Sequence, residues 1–291
     1  MRSLAVLFST VLMISGAALG QSVPAAIFTD PPPDSAHPAS MSVLHIPSHG
    51  LLINSVLYAP AGPGPHPTLV LCHGLPGNEK NLDLAQAIRR AGWNAVTFNY
   101  RGSWGSPGQF RFVQNIEDAR AVLAFLRDPA NAARLGINPR QIVMAGHSMG
   151  GWVAANVAAR DPALLGVILI SAADMSALPQ HATREQAVAE MADNMEALAG
   201  VTAESMADDI IANGKSYEFA TTADGLAKLP ALVLSANDGL APSTDALVKA
   251  IQSKGARSIT AIHADTDHSW SDHRIFLEAQ ILNWLAALHS N

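Results

Sequence analysis

Apolar segments of two kinds alternate along the chain from about residue 41 onward. Short continuous apolar runs, such as PTLVLCHG (67–74) and LLGVILISAAD (164–174), predict strands that are buried on both faces. Runs with apolar residues at helical spacing, such as NLDLAQAIRRAG (81–92) and NIEDARAVLAFLRD (115–128), predict amphipathic helices between them. Strands that alternate with helices form βαβ units, so the pattern predicts an α/β fold with a mostly parallel central sheet flanked by helices.

The same pattern extends towards both ends of the chain. MSVLHIPS and LLINSVLYAP, separated by His49 and Gly50, predict an opening antiparallel pair of strands. Further strands are predicted at 93–100, 140–146, 230–238 and 258–264, and further helices at 150–161, 243–255 and 274–290. These elements fit one domain, because α/β folds of this length often build a single core.

The interval from 174 to 230 interrupts this alternation, since it contains no strand pattern. Apolar residues recur at helical spacing in two stretches of it: Val188, Met191, Met195 and Leu198, then Met206, Ile210 and Ile211. A helical insertion of this size above the strand ends predicts a small cap over residues 172–229. We expect its apolar stripe to pack onto the body rather than to contact substrate, because most such stripes are core.

The first twenty residues have the layout of a secretory signal peptide. Arg2 supplies a positive charge, residues 4–14 are apolar, and small residues precede a cut between Gly20 and Gln21. A membrane anchor is the alternative, but the apolar run is shorter than the ~20 residues that a span needs. We therefore expect an exported protein, periplasmic or secreted. The chain then divides into a signal peptide, a proline-rich arm and one domain, at 1–20, 21–40 and 41–291.

The composition is that of a packed globular protein with an acidic balance. Hydrophobic residues make up 49% of the chain and charged residues 14%, which is enough apolar material for a core. The formal net charge of −6 and the lack of any Lys or Arg run argue against a nucleic-acid partner and against an anionic membrane surface. The single cysteine, Cys72, lies on a predicted buried strand, where a thiol is usually a small core residue.

The stretch MAGHSMGG, residues 144–151, places Ser148 between Gly146 and Gly150. It follows a predicted strand and precedes a predicted helix, and a sharp strand-to-helix turn leaves no room for a Cβ on either flank. Such a turn lifts the hydroxyl above the sheet and points the positive end of the helix at it. Ser148 is therefore the candidate nucleophile, with a helix-capping serine as the alternative.

A serine nucleophile needs a base that an acid orients. Asp238 lies at the carboxyl end of a predicted strand; the alternatives are that it only caps the next helix, or that Asp174 is the acid. Of the eleven histidines, His268 sits in the loop between the last strand and the closing helix. The chain order Ser148, Asp238, His268 is the order expected of an α/β-hydrolase triad.

Acyl transfer also needs donors for the oxyanion that develops in the transition state. The N–H of Met149, at the helix N-terminus, is one candidate. The N–H of Leu75 is the other, because Gly74 lets the backbone of CHGLPGN turn inward. We expect His73 to hold this loop by hydrogen bonds rather than to act as a second base.

The loop FNYRGSWGSPGQF, residues 98–110, offers candidates for the pocket edge. Trp104, Phe110 and Phe112 are of the residue types that line ligand pockets, with ordinary loop packing as the alternative. Arg101 could bind a substrate carboxylate, but pairing with Glu117 or Asp118 is favoured.

The tail of the chain suggests a metal site as a rival interpretation. Residue types that bind zinc alternate there: His263, Asp265, Asp267, His268, Asp272 and His273. Five-residue spacing between histidines does not place them on one helical face, and a metal would leave the serine stretch unexplained. We therefore expect neither a metal nor a cofactor.

Over residues 41–289 the chain resembles the α/β-hydrolase superfamily, through HGLPG, GHSMGG, NDGLAP and DHSW. The loop at 98–110 is similar to loops in secreted esterase-like and serine-peptidase-like members, near the dienelactone-hydrolase and prolyl-oligopeptidase branches. The resemblance implies the α/β-hydrolase fold, an acyl-serine intermediate and no cofactor, but not the substrate. Because the nucleophile is serine, the aspartate-dependent dehalogenases and the cysteine-dependent dienelactone hydrolases are disfavoured.

The sequence thus predicts an exported serine hydrolase that cleaves a carboxylic ester, or a related acyl bond, of a small-molecule substrate. A peptidase or amidase on short peptides is the first alternative; an acidic pair that holds a free amine would favour it, and the cap sequence shows none plainly. An acyltransferase would use the same intermediate. A catalytically silent binding protein would usually have lost a triad member.

Overall fold

The computed structural model describes residues 23–256 and 258–289, and an eight-stranded sheet forms its centre. The strands are β1 (Ser40–Ser48), β2 (Leu51–Ala59), β3 (His66–Cys72), β4 (Asn94–Phe98), β5 (Ile137–His147), β6 (Gly166–Ile170), β7 (Ala231–Ala236) and β8 (Ile259–Ala264). They lie in the order β1-β2-β4-β3-β5-β6-β7-β8. The pairs β1/β2 and β2/β4 are antiparallel and the others parallel, which confirms the predicted fold class.

Helices connect the strands and cover both faces of the sheet. They are α1 (Leu82–Arg90), α2 (Phe112–Arg127), α3 (Pro129–Leu135), α4 (Met149–Ala158), α5 (Ala177–His181), α6 (Arg184–Ala192), α7 (Ala203–Asn213), α8 (Ala223–Leu226), α9 (Ala241–Ser253) and α10 (Arg274–His289). The sequence pattern missed α3, although Asp128 caps it by accepting a hydrogen bond from the Asn131 N–H at 3.0 Å and Pro129 opens it.

The core forms one layer on each side of the sheet. Along β5, Val143 packs in the layer covered by α1 and α10, whereas Met144 packs in the layer covered by α2, α4 and α9. This alternation follows from the two-residue period of a strand. Because both faces are covered, strands β6 and β7 are almost entirely apolar and fully buried, as the sequence pattern predicts.

Helices α5, α6 and α7 form the cap above the carboxyl ends of the strands. Met191, Met206 and Ile210 of the predicted stripe are buried, whereas Ile211 is exposed. The cap is joined to the loop at 98–110 through the backbone: the N–H of Trp104 donates to the carbonyl of Ala197 at 2.9 Å. These buried residues belong to the same hydrophobic cluster as Met144 and Trp152, so the cap packs onto the body and is also attached to it through the backbone.

The N-terminal arm lies against the body where the structure describes it. Arg90 donates from its guanidinium to the carbonyl of Ile27 at 2.8 Å, so the start of the arm packs beside α1. The predicted signal peptide, residues 1–20, lies outside the described residues. None of the helices within 23–256 and 258–289 combines the length and the apolar character that crossing a membrane requires.

A group of charged side chains joins α10 to the start of α1. Arg274 pairs with Asp83 at 2.6 Å, and Glu278 lies beside them with 5% of its surface exposed. Burial, and then the negative charge of Asp83, raise the pKa of Glu278 to about 7. Glu278 therefore holds its proton more tightly in the folded protein than in the unfolded chain.

This raised pKa predicts a loss of stability towards high pH. The contribution of Glu278 is fully present below about pH 4.5, the ordinary value, and is lost as the pH rises through about 7. Gln resembles the protonated carboxyl, so Glu278→Gln is expected to raise the melting temperature at pH 8 but not at pH 5. Each kcal/mol gained in the free energy of unfolding corresponds to a rise of roughly 2–4 °C. Glu196→Gln, at an exposed position, is the control. Equal melting temperatures of wild type and Glu278→Gln at pH 8 would contradict the prediction.

Candidate active site

Ser148 forms the whole turn between β5 and α4, because β5 ends at His147 and α4 begins at Met149. Its backbone has φ 57° and ψ −125°, a strained conformation for a residue with a side chain. The N–H of Ser148 donates to the carbonyl of Ile170 on β6 at 3.0 Å, and its carbonyl accepts from the N–H of Ala173 at 3.0 Å. These bonds hold the strained turn at the carboxyl edge of the sheet.

Both glycines that flank Ser148 lie where a side chain has no space. A Cβ on Gly146 would lie 1.9 Å from the carbonyl oxygen of Gly150, and one on Gly150 would lie 2.1 Å from that of Cys72. The start of α4 thus presses directly on the ends of β5 and β3. The thiol of Cys72 beside this contact is buried, and burial raises its pKa to about 12, so it is not a competing nucleophile.

Asp238 and His268 meet above the sheet, although thirty residues separate them in the chain. His268 donates from Nδ1 to Oδ2 of Asp238 at 2.8 Å; the carboxylate is almost fully buried and the ring is partly exposed. Burial raises the pKa of Asp238, but hydrogen bonds from His268, the Leu240 N–H and Ser171 outweigh it and hold the pKa below its usual range. Asp238 is therefore ionised at neutral pH, as an acid that orients an imidazole must be.

Asp174, the competing acid, has a different place. Its Oδ1 accepts hydrogen bonds from the N–H and the hydroxyl of Ser176 at 3.0 and 2.7 Å, just before α5. It lies in the wall of the cavity above Ser148 and does not hydrogen-bond to His268. Within the described residues, the imidazole pairs with Asp238.

Three residues at this site were not singled out from the sequence: Ser171, Trp270 and His147. Trp270 donates from Nε1 to the hydroxyl of Ser171 at 3.0 Å, and Ser171 supports the carboxylate of Asp238. Ser171 and Trp270 have positive φ values of 41° and 59°, like Ser148. Strained residues cluster at functional sites, but the sequence shows only that Ser171 ends a strand and that Trp270 follows His268 by two positions.

The backbone N–H groups of Leu75 and Met149 are placed to act as a pair of donors. Met149 is the first residue of α4, and neither N–H donates to an acceptor within the described part of the chain. The loop that carries Leu75 approaches Ser148 closely, because a Cβ on Gly74 would lie 3.0 Å from Cβ of Ser148. Both residues line the same cavity as Ser148, so the two N–H groups suit an oxyanion.

Side chains of the body hold the Leu75 loop in place. His73 is buried and donates from Nδ1 to the carbonyl of Gly74 at 2.8 Å, and burial lowers its pKa to about 4. Trp104 donates from Nε1 to the carbonyl of Pro76 at 2.7 Å. His73 therefore has a neutral, structural place in this arrangement rather than that of a second base.

A cavity of about 550 Å³ lies between the body and the cap. Its lining contains all five residues that the sequence predicts for the triad and the oxyanion hole: Leu75, Ser148, Met149, Asp238 and His268. The cap contributes apolar and polar residues: Leu178, His181, Glu190, Met191, Asn194 and Ile210. A smaller cavity of about 160 Å³ continues past Ser148 and His268 towards the Leu75 loop. Ser148 thus lies between two cavities and lines both of them.

The hydroxyl of Ser148 and the ring of His268 face the same cavity, but no hydrogen bond joins them in the described residues. Hydrogen bonds between nucleophile and base are often long in proteins without substrate and shorten when substrate binds. A transfer of the Ser148 proton to His268 would therefore require the hydroxyl to rotate or the imidazole to move towards it.

The predicted pocket-edge residues have another role. Phe110 and Phe112 are 1% and 0% exposed and pack edge-to-face on each other in the core, and the lining of the cavity above Ser148 does not include them or Trp104. The Phe110 N–H donates to the carbonyl of Ala199 at 2.9 Å, so this loop attaches the cap instead of facing substrate. The prediction that these three residues line the pocket is therefore wrong for this structure.

The other uncertain side chains of the sequence analysis have clear partners. Arg101 binds Asp118 and Glu117, each at 2.6 Å, and so fills the structural role. His263 lies between Ser235 and Asn237, at 3.0 and 2.9 Å. The histidines of the tail therefore do not converge, and the described ranges contain no group of three or more metal-binding side chains.

Comparison with known proteins places this geometry among related chains. The family model described as alpha/beta hydrolase fold matches residues 67–284. The chain is 22% identical to an esterase of Pyrobaculum calidifontis, with a TM-score of 0.66 over 87% of this chain and 88% of that one. At this identity the structural likeness shows the fold alone.

Curated relatives match over a shorter part. An uncharacterised protein of Mycobacterium tuberculosis is 27% identical over 133 residues, which are 45% of this chain and 46% of that protein. The quorum-quenching protein AidA of Acinetobacter baumannii is 32% identical over 127 residues, which are 42% of this chain and 40% of that protein. The match thus spans less than half the length of these curated relatives.

The close contacts around the Ser148 turn predict that glycine-to-alanine substitutions at Gly150 and Gly74 lower the free energy of unfolding by different amounts. In Gly150→Ala the new Cβ meets the rigid backbone of Cys72, so we expect a loss of about 3 kcal/mol or more. In Gly74→Ala it meets Cβ of Ser148 at 3.0 Å and the carbonyl oxygen of His147 at 3.3 Å, separations that much smaller shifts relieve, so we expect a clearly smaller loss. Thermal melting of both variants checks the order. A Gly150→Ala protein as stable as wild type would contradict it.

Proposed function

Since the chain belongs to the α/β-hydrolase fold family, we propose that it is a serine hydrolase that cleaves carboxylic esters of small molecules through an acyl-serine intermediate. One observation carries the proposal: a buried carboxylate holds an imidazole at 2.8 Å in the wall of the cavity that contains a serine in a strained strand-to-helix turn. This is the arrangement that makes a hydroxyl nucleophilic.

In the first half of the proposed reaction, Nε2 of His268 takes the proton of Ser148, and Oγ attacks the carbonyl carbon of the ester. The carbonyl oxygen becomes an oxyanion that accepts hydrogen bonds from the N–H groups of Leu75 and Met149, an interaction worth roughly 3–4 kcal/mol for one such donor. Asp238 stabilises the imidazolium while it exists. The carbon–oxygen bond to the leaving alcohol then breaks, and the alcohol takes the proton from His268.

In the second half, water replaces the alcohol. His268 takes a proton from the water, the hydroxide attacks the acyl carbon, and the same two N–H groups hold the second oxyanion. The bond to Oγ of Ser148 breaks as Oγ regains the proton from His268, and the carboxylic acid leaves. The protein needs no other co-reactant for this cycle.

The cavity indicates a substrate with an apolar acyl group. Leu178, Met191 and Ile210 provide apolar wall above Ser148, and methionine adapts to ligands of different shape. The sequence pattern predicted that this stripe packs onto the body. Met191 and Ile210 do both, since each is buried in the hydrophobic cluster that continues into the body and each also lines the cavity.

A second candidate function rests on two carboxylates that line the cavity in addition to that of Asp238. Asp174 and Glu190 both line the cavity, and the described lining contains no Lys or Arg. An acidic pair of this kind favours a substrate with a free amine, so an amidase or peptidase that acts on small aminoacyl compounds is the alternative. The pair is not apparent in the sequence because sixteen positions separate its members.

We also propose that the protein is exported and that its signal peptide is cut between Gly20 and Gln21. Support comes from the sequence layout alone: a positive residue, a short apolar run and small residues before the cut. The proposed substrate would then meet the enzyme outside the cytoplasm.

Removal of the Ser148 hydroxyl tests the proposed mechanism. Ser148→Ala is expected to abolish hydrolysis of short-chain p-nitrophenyl esters and labelling by a fluorophosphonate probe, because no other group takes its place. Its melting temperature should stay close to that of wild type. Ser253→Ala, at an exposed serine of α9, is the matched control. Unchanged hydrolysis by Ser148→Ala would refute the assignment.

The carboxylates predict selectivity for substrate charge. Among p-nitrophenyl esters of equal acyl length, those ending in a carboxylate should have a kcat/KM at least about tenfold below those ending in a methyl or ammonium group, because Asp174 and Glu190 repel them. Glu190→Gln should narrow this difference, whereas the exposed control Glu196→Gln should leave it unchanged. Equal kcat/KM values for anionic and neutral esters would contradict the prediction. Faster cleavage of aminoacyl anilides than of esters would favour the second function.

A further inference from the structure

His147 is a buried histidine directly before Ser148 in the chain, and the proposed mechanism does not use it. It is the last residue of β5 and is 4% exposed. Side chains alternate along a strand, so His147 points to the same face as Val143 and Ala145, which pack in the layer of α1 and α10. That face lies below the loop that carries His268.

His147 contacts His268 in two ways. Its Nε2 lies 2.8 Å from the backbone carbonyl oxygen of His268, and the two rings lie with their centroids 4.6 Å apart at 42°. A carbonyl oxygen only accepts hydrogen bonds, so the Nε2 of His147 carries the proton and donates it. The contact therefore fixes both the tautomer of His147 and the backbone of His268.

The surroundings keep this histidine neutral. Burial, and then the positive charge that His268 can carry, lower the pKa of His147 to about 4. A neutral ring beside His268 does not repel the imidazolium that forms there during the reaction. Nδ1 of His147 is then without a proton, and its single N–H is the one that faces His268.

The other contacts of the His268 loop reach different parts of the protein. Asp238 holds the ring from the end of β7, and Trp270 joins the loop to Ser171 after β6. Arg274 of α10 donates to the carbonyl of Ser269 at 3.0 Å. His147 instead links the loop to β5, the strand that carries the nucleophile.

Building on the proposed function, we propose that His147 is a positioning residue: it holds the loop of His268 at a fixed place relative to Ser148 through its Nε2–H bond to the His268 carbonyl. Ser148 is the next residue in the chain, so a shift of His147 would move nucleophile and base together. This link matters here because no hydrogen bond joins Ser148 to His268 before substrate binds, and misplacement by about 1 Å can cost a hundredfold in rate.

The alternative is that His147 only fills space, and three substitutions separate the two roles. His147→Phe keeps an aromatic ring but loses the donor. His147→Gln keeps an N–H at about the reach of Nε2. His147→Asn has the same amide on a side chain that is one methylene shorter, so it is the matched control for Gln.

The experiment measures the rate of fluorophosphonate labelling, kcat and KM for a p-nitrophenyl ester, and the melting temperature of each protein. We expect His147→Phe and His147→Asn to lower kcat and the labelling rate by about 10–100-fold, in the range seen for residues that orient a catalytic group. KM should change less than kcat does, because His147 is 4% exposed and lines only the smaller cavity, not the larger one above Ser148. His147→Gln should recover most of the lost rate.

The outcomes distinguish this inference from the proposed function. Wild-type protein that neither reacts with the probe nor cleaves the ester would overturn both. Reactive wild type with an equally fast His147→Phe would overturn the positioning role alone. If His147→Phe melts far below wild type, the comparison of His147→Gln with His147→Asn tests the proposal instead. Equal rates for these two variants would show that the hydrogen bond to the His268 carbonyl does not matter, and would overturn the positioning role.

Discussion

The contact between the backbone of α4 and the ends of β3 and β5 is the constraint on which the site depends. Because Gly146 and Gly150 have no Cβ, the backbones of these three elements lie closer together than a residue with a side chain would allow. A single residue therefore separates the end of β5 from the start of α4. That residue is Ser148, and the turn forces it to a positive φ. One packing contact therefore places the hydroxyl of Ser148 at the sheet edge, with the N–H of Met149 beside it. The N-terminus of α4, which carries a partial positive charge, lies at the same place.

The parallel sheet brings the other groups to the same edge. The carboxyl ends of parallel strands lie together, so the loops after β3, β7 and β8 deliver Leu75, Asp238 and His268 from distant parts of the sequence. Support then comes from buried polar contacts around these groups. The strained residues Ser171 and Trp270 lie in that support, which indicates that the surrounding fold is stable enough to hold them.

The sequence predicted the elements and the candidate residues that the fold brings to the strand ends, since both leave local patterns. Alternating apolar runs revealed the eight strands, and glycine spacing pointed to Ser148. The orientation of side chains that depends on tertiary packing was harder to predict from the sequence. Phe110 and Phe112 looked like pocket residues because an aromatic side chain in a loop gives no sign of which way it faces, and the structure buries both.

Contacts between residues that are distant in the chain could not be predicted from the sequence either. The bond from His147 to the His268 carbonyl spans 121 positions, and Asp174 and Glu190 line one cavity only because the cap folds over the strand ends. Neither pair has a spacing that a motif could reveal. These contacts shape the cavity around Ser148, so its lining is less predictable from the sequence than the position of Ser148 is.

The most direct test of the central claim is a crystal structure of the protein after reaction with a fluorophosphonate. We expect phosphorus bonded to Oγ of Ser148 and its free oxygen about 2.7–3.1 Å from the N–H groups of Leu75 and Met149. Nε2 of His268 should lie within hydrogen-bond reach of Oγ, with its Nδ1 still on Asp238. A phosphonyl group on another residue, or an oxygen that faces away from both N–H groups, would contradict the claim.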